Sequence, residues 1–235
     1  MYTLRTMSNY KKTAVWAMTA LALLMTGPLF AATLWLEPSS LQPAAGEAVE
    51  MHLYLGERFA GDERALDAER IVSFQRLDQK SRRHLEKKEG QLPVASFKSG
   101  KAGVEIVALT WQGLKGAYFC KAIQVVGDAE PGHPLRFSEL GQRLELVPQT
   151  DPVLLARRGG TFEVQVLFER EPLAGVRLLA LPKEDAVEGA LTAVTNEIGV
   201  ATFELERPGG WLIEVAHKVG GDRTRATLVV GVGKP

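Results

Sequence analysis

A single cysteine in 235 residues, Cys120, excludes an internal disulfide, so any core this chain builds is held by packing. It lies in the apolar run 118–126 and reads as a small buried side chain rather than a reactive thiol. Histidine is scarce too. His52, His84, His133 and His217 are too far apart to supply the close ligand pairs of soft-metal sites. There is no Gly-x-Ser-x-Gly elbow, and no Ser, Cys or His stands in a recognisable nucleophile context. Gly159-Gly160 and Gly209-Gly210 each lead into a strand pattern instead of a helix, which argues against a phosphate-binding loop. An excess of charge is also missing, with 28 Lys+Arg against 28 Asp+Glu.

What is present begins with the first 36 residues. Arg5, Lys11 and Lys12 precede an uncharged run from Thr13 to Leu36, with an apolar centre at 14–26, a helix break at Gly27-Pro28 and a small residue at Ala31. Basic, apolar and small segments in that order predict a secretory signal peptide over residues 1–31, and hence a periplasmic or secreted protein. The rival reading is a retained anchor, since about 20 apolar residues span a bilayer. Gly27-Pro28 counts against a continuous spanning helix, so no stable membrane span is expected after cleavage. Removing the leader leaves 204 residues with 25 Lys+Arg and 28 Asp+Glu, a net charge of −3. That balance argues against nucleic acid or an anionic membrane surface as the main partner, because both demand clustered positive charge.

Period-two alternation dominates the rest, as in half-buried strands. Val49, Met51, Leu53 and Leu55 face one way, and Glu50, His52 and Tyr54 the other. Phe162, Val164, Val166 and Phe168 repeat the pattern, with Glu163 and Gln165 opposite. Further strands are predicted at 71–77, 104–111, 118–126, 143–147, 176–181, 200–205, 211–217 and 224–232. Only 78–89 could pass for a helix, and its charge density favours a solvated hairpin tip or loop. The prediction is an all-β protein of two antiparallel β-sandwich domains, Ig-like or transthyretin-like, at 32–130 and 140–235, with a linker at 131–139. A weak echo relates the halves: Gly46 and Gly159 are each followed by apolar residues at +3, +5, +7 and +9. Each half then passes a glycine (Gly61, Gly175) and closes on a glycine-led apolar strand, at Gly103-Val104 and Gly210-Trp211.

The metal-ligand candidates are His217, Glu37 and His52. His52 shares a polar face with Glu50 and Tyr54, while His217 has the parity of Trp211, Ile213 and Val215 but ends its strand, where it can reach the rim. Glu37 follows Trp35, which reads as a core anchor for the first strand.

Several phrases then carry a family resemblance. Leu34-Trp35-Leu36-Glu37-Pro38-Ser39, Leu55-Gly56-Glu57-Arg58-Phe59-Ala60-Gly61 and Lys121-Ala122-Ile123-Gln124-Val125-Val126-Gly127 are three of them. Leu144-Glu145-Leu146-Val147-Pro148-Gln149-Thr150-Asp151-Pro152, Glu171-Pro172-Leu173-Ala174-Gly175-Val176, Thr195-Asn196-Glu197-Ile198-Gly199 and Pro208-Gly209-Gly210-Trp211 complete the set. Together they resemble the DUF4198 family of exported proteins, some of which are labelled periplasmic accessory components of nickel or cobalt uptake. The second half also resembles transthyretin-like or carboxypeptidase-regulatory sandwiches, in which Gly175 and Gly199 would take positive φ and Phe203 and Trp211 would fill the core. The resemblance implies a non-catalytic exported accessory or binding protein, with Ni or Co as the implied ion and an envelope transport component as the implied partner. An interaction module for another envelope protein is the alternative, and a hydrolase the third. Relatives often open the mature chain on His-Asp; here Ala32-Thr33 stands instead.

Overall fold

A computed structural model describes residues 32–78, 81–114, 116–132 and 139–234. The leader, His133 and most of the expected linker lie outside the described residues. Alternating β-branched and aromatic residues against polar ones give strands throughout. The first half holds β1 (Thr33–Pro38), β2 (Ala48–Glu57), β3 (Ala60–Glu63), β4 (Ile71–Leu77), β5 (Arg82–His84), β6 (Ala95–Lys98), β7 (Gly103–Gly113) and β8 (Gly116–Val126). The second holds β9 (Leu144–Pro148), β10 (Gly160–Phe168), β11 (Glu171–Pro172), β12 (Arg177–Pro182), β13 (Leu191–Val194), β14 (Val200–Leu205), β15 (Gly209–Val219) and β16 (Asp222–Val232).

The two halves share one pairing map. In the first, β2 pairs with β1, β3 and β6, β4 pairs with β5 and β7, and β7 with β8. In the second, β10 pairs with β9, β11 and β14, β12 pairs with β13 and β15, and β15 with β16. All of these pairings are antiparallel. One further pairing, β16 with β8, is parallel, and it fuses the halves into an eight-stranded sheet ordered β13-β12-β15-β16-β8-β7-β4-β5. That order reads the same from either edge once equivalent strands are matched. Such a pattern belongs to a two-fold relation about an axis in the sheet, along the strands and between β8 and β16. The operation keeps strand direction, so the seam is parallel, and it exchanges faces, so the outer sheets cover opposite sides.

Burial agrees. Val107, Leu109, Cys120, Ala122, Leu212 and Val229 pack into one core with Leu34, Leu36, Met51 and Leu53 of the first outer sheet. Their neighbours Ile106, Ala108, Phe119, Ile123, Ile213 and Leu228 pack into the other with Leu144, Leu146, Phe162 and Val164. The protein is thus all-β, as expected, with two antiparallel sandwiches built on one shared central layer. The expected 131–139 boundary falls between β8 and β9, but the sandwiches are not separate bodies: the chain from Ala32 onward forms one compact unit.

Local signals explain the smaller elements. The helix falls at α1 (Pro152–Arg158) rather than at 78–89, where Arg82–His84 form a short strand. Asp151 caps it by accepting from the Val153 amide, and proline at its start costs no hydrogen bond. Gly175 and Gly199 take positive φ of 73° and 74°, and Phe203 and Trp211 are buried, as the resemblance implied.

Three layers leave the inner edges of β1 and β9 out of water, and side chains from the seam satisfy them. The Leu34 carbonyl accepts from Thr227 Oγ1 (2.9 Å) and from Cys120 Sγ (3.3 Å). The Leu146 carbonyl accepts from Lys121 Nζ (2.9 Å), which also donates to Glu145 Oε1 (2.7 Å). Glu145 collects the backbone amides of Leu140, Gly141 and Gln142 as well. Burial pulls the Lys121 ammonium below its ordinary pKa, and Glu145 opposes that shift. Lys121→Met would strand the Glu145 carboxylate without its countercharge and should lower stability by about 3–5 kcal/mol in urea unfolding. The Lys121→Met/Glu145→Gln double variant should lose less than the two single changes summed.

Candidate functional site

On the first outer sheet, Val49, Met51 and Leu53 turn inward, so the intervening Glu50, His52 and Tyr54 point out. Strand register then sets Glu37 of β1 opposite His52, and Trp35 of β1 and Glu63 of β3 on either side of Tyr54. His52 Nδ1 lies 2.6 Å from Glu63 Oε1, and its Nε2 lies 3.7 Å from Glu50 Oε2. Glu37 is ion-paired with Lys183, just beyond β12. Burial first, then the Glu37 and Glu63 carboxylates, push the Tyr54 hydroxyl pKa above its ordinary value.

Below these groups is an aromatic base. Trp35 stacks on Tyr54 (centroids 5.6 Å apart, planes at 19°) and meets the edge of Phe59 at 5.7 Å. Phe59 reaches it from the β2–β3 turn, where Arg58 and Phe59 both take positive φ (52° and 59°), the geometry that suits tight hairpins. Gly61 keeps that hairpin close: a Cβ there would lie 2.8 Å from the Trp35 ring. Trp35 is therefore 1% exposed on a nominally outward face, and its indole Nε1 makes no hydrogen bond. Beside this face opens a cleft of 310 Å³ lined by Pro182, Lys183, Arg207 and Gly210. Arg207 and Asp185 form an ion pair of 3.4 Å there.

The structure thus sets Glu37 and His52 on one face, and places His217 elsewhere. His217 lies on β15, with its ring edge against Phe168 at 4.7 Å and the Arg143 guanidinium 5.1 Å from the same ring. His84 is exposed on β5. Among the described residues, no group of three or more His, Cys, Asp or Glu side chains is placed to hold a metal ion. Sequence reading missed Glu63 and Lys183. The alternation in β2 could have flagged the face, but only the β2–β3 register brings Glu63 to His52. Chemically, the face offers an imidazole oriented by a carboxylate, two further carboxylates and a phenol over a rigid aromatic floor. That is equipment for recognition. The Cys120 thiol, pushed up to about 12 by burial, is occupied with the Leu34 carbonyl.

Residues 112–219 match the model of DUF4198, a domain of unknown function. The resemblance to that family is thereby shown over this segment, which runs from the end of β7 through β15; the phrases before residue 112 lie outside it. No curated protein matches the chain. Solved structures similar to it include trypsin-activated alpha-2-macroglobulin from Escherichia coli, at 10% identity and a TM-score of 0.30. That alignment covers 87% of this chain and 16% of the other, so this chain spans under a fifth of that protein's length. The D0-D1 domain of intimin aligns over 85% of this chain and 97% of its own, at 14% identity and a TM-score of 0.24. Murine CEACAM1b aligns over 87% and 100%, at 9% identity and 0.25. Scores this low carry no argument about function.

Because Cys120 is 0% exposed, it should resist an aromatic disulfide reagent in the folded protein and react within the dead time once urea unfolds it. Stoichiometric reaction without denaturant would contradict the packing described.

Proposed function

We propose that this chain is a non-catalytic exported binding protein whose ligand or partner meets the outer face of β1, β2 and β3. The observation that carries the reading is the convergence of His52, Tyr54, Glu37, Glu50 and Glu63 over the Trp35–Phe59 floor, beside a cleft. In that group the one hydroxyl is the Tyr54 phenol, whose pKa burial and the neighbouring carboxylates raise rather than lower, which supports recognition over nucleophilic turnover. The finer reading follows the family resemblance: an accessory role in nickel, cobalt or other solute uptake, with a divalent ion displacing the Glu63 hydrogen bond to reach His52. The exported protein, purified with its natural N-terminus, is titrated with nickel and cobalt by calorimetry. Micromolar binding that His52→Ala abolishes and His217→Ala spares is expected. Heat absent for both metals would remove the metal from the proposal.

A second reading has its own observation. Among the described residues β3 pairs with β2 alone, which leaves its other edge unpaired beside the same face, as strand addition by another envelope protein requires. Cross-linking through a photoreactive group at Asp62 should then capture an envelope protein, and should fail when Glu63→Pro removes an outward-facing amide from that edge.

A further inference from the structure

The first outer sheet does not cover the whole of the central face beneath it. Strand register across the central sheet aligns Ala216 of β15, Arg225 of β16, Tyr118 of β8 and Trp111 of β7 in one row, and Arg177 of β12 extends it one residue beyond the Leu178–Val215 pair. Residues directly opposite one another share a face. The row on its core side, Glu214, Thr227, Cys120 and Leu109, reaches the packed interior and meets β1 at the Leu34 carbonyl. On the other side Lys218 pairs with Arg223, and the sheet ends in two hairpin tips. The result is an uncovered shelf bearing Arg177, Lys218, Arg223 and Arg225, with half-buried Trp111 and Tyr118 among them.

Three observations give the shelf a direction. None of the four cations makes an ion pair with a described carboxylate. Asp222 sits at the tip, and the Glu214 carboxyl, in the next row inward, has its pKa raised by burial, with Arg225 opposing. Second, the tips carry exposed aliphatics: Leu114 is 92% exposed at the β7–β8 turn and Val219 39% exposed at the β15–β16 turn. Third, the chain enters here. Leu34 lies beside Cys120 and Ser40 beside Gln124, so β1 runs the same way as β8 and Ala32 stands at the shelf end.

We infer that this end of the central sheet docks on an anionic phospholipid surface, with Arg177, Lys218, Arg223 and Arg225 on the phosphates and Leu114 and Val219 entering the headgroup layer. Cations beside aromatic rings and isolated aliphatics suit a bilayer interface, where each Lys or Arg near the surface adds to binding and short apolar groups need only shallow insertion. With the leader removed after Ala31, the ammonium freed at exposed Ala32 adds positive charge at the same end. The inference is independent of what the outer face around His52 binds. Net charge sums over the whole chain, so a value of −3 for residues 32–235 is compatible with four cations at one end.

The test is co-sedimentation of the exported protein with vesicles of phosphatidylglycerol and phosphatidylcholine, against phosphatidylcholine alone. Binding to the anionic vesicles that fades as salt rises is expected. Arg177→Glu/Arg223→Glu should weaken it on the order of 100-fold while keeping the circular dichroism spectrum and melting temperature. Leu114→Ser should weaken it at every salt concentration. Equal binding to both vesicle types, no binding to anionic vesicles at low salt, or an unaffected double variant would each overturn the inference. Retention on an anionic polysaccharide without vesicle binding would replace the membrane with a glycan.

Discussion

Five residue pairs, from Arg225 opposite Tyr118 to Val229 opposite Ala122, join β16 to β8 in the parallel sense, and much of the molecule follows from them. Without that seam each half would expose a long strand rich in β-branched and aromatic residues at a sheet edge, a surface prone to unwanted pairing. With it, two four-stranded halves become one central sheet, and two outer sheets are forced onto opposite faces. The seam also supplies the donors that satisfy β1 and β9. Thr227 and Cys120 serve one carbonyl, and Lys121 serves the other. Gly116 marks how close the approach is, since a Cβ there would overlap the Arg223 carbonyl.

Much of the architecture was legible because alternation is a local property. The ten strands predicted from it are all present, within a few residues at each end, and the glycine echo pointed to two halves with the same pairing map. The seam was not legible. Tyr118–Val126 and Thr224–Val232 read as two apolar strands, and nothing local says that strands about a hundred residues apart pair with each other. Short pieces such as β5, β11 and β13 carry too few residues for a period to register. The helix was missed although Asp151-Pro152 is a start signal, because the residues after it are too few to show a helical period.

The candidate face was half legible for the same reason. Parity placed His52 with Glu50 and Tyr54, and the same parity argument set His217 with a core face, where Phe168 now covers it. Glu63 and Lys183 reach the face only through a hairpin register and a layer contact, neither of which is encoded locally. Net charge, likewise, sums over the chain and says nothing about where the cations gather. Both surfaces are by-products of the three-layer design. The outer sheet offers one exposed face, and the central sheet, being longer than its cover, offers a shelf.

If the shared sheet governs the fold, the two sandwiches cannot melt independently. Differential scanning calorimetry of residues 32–235 tests this directly. The account predicts one transition whose calorimetric and van't Hoff enthalpies agree. Two resolved transitions, or a van't Hoff enthalpy near half the calorimetric one, would mean that the seam does not couple the halves and would contradict it.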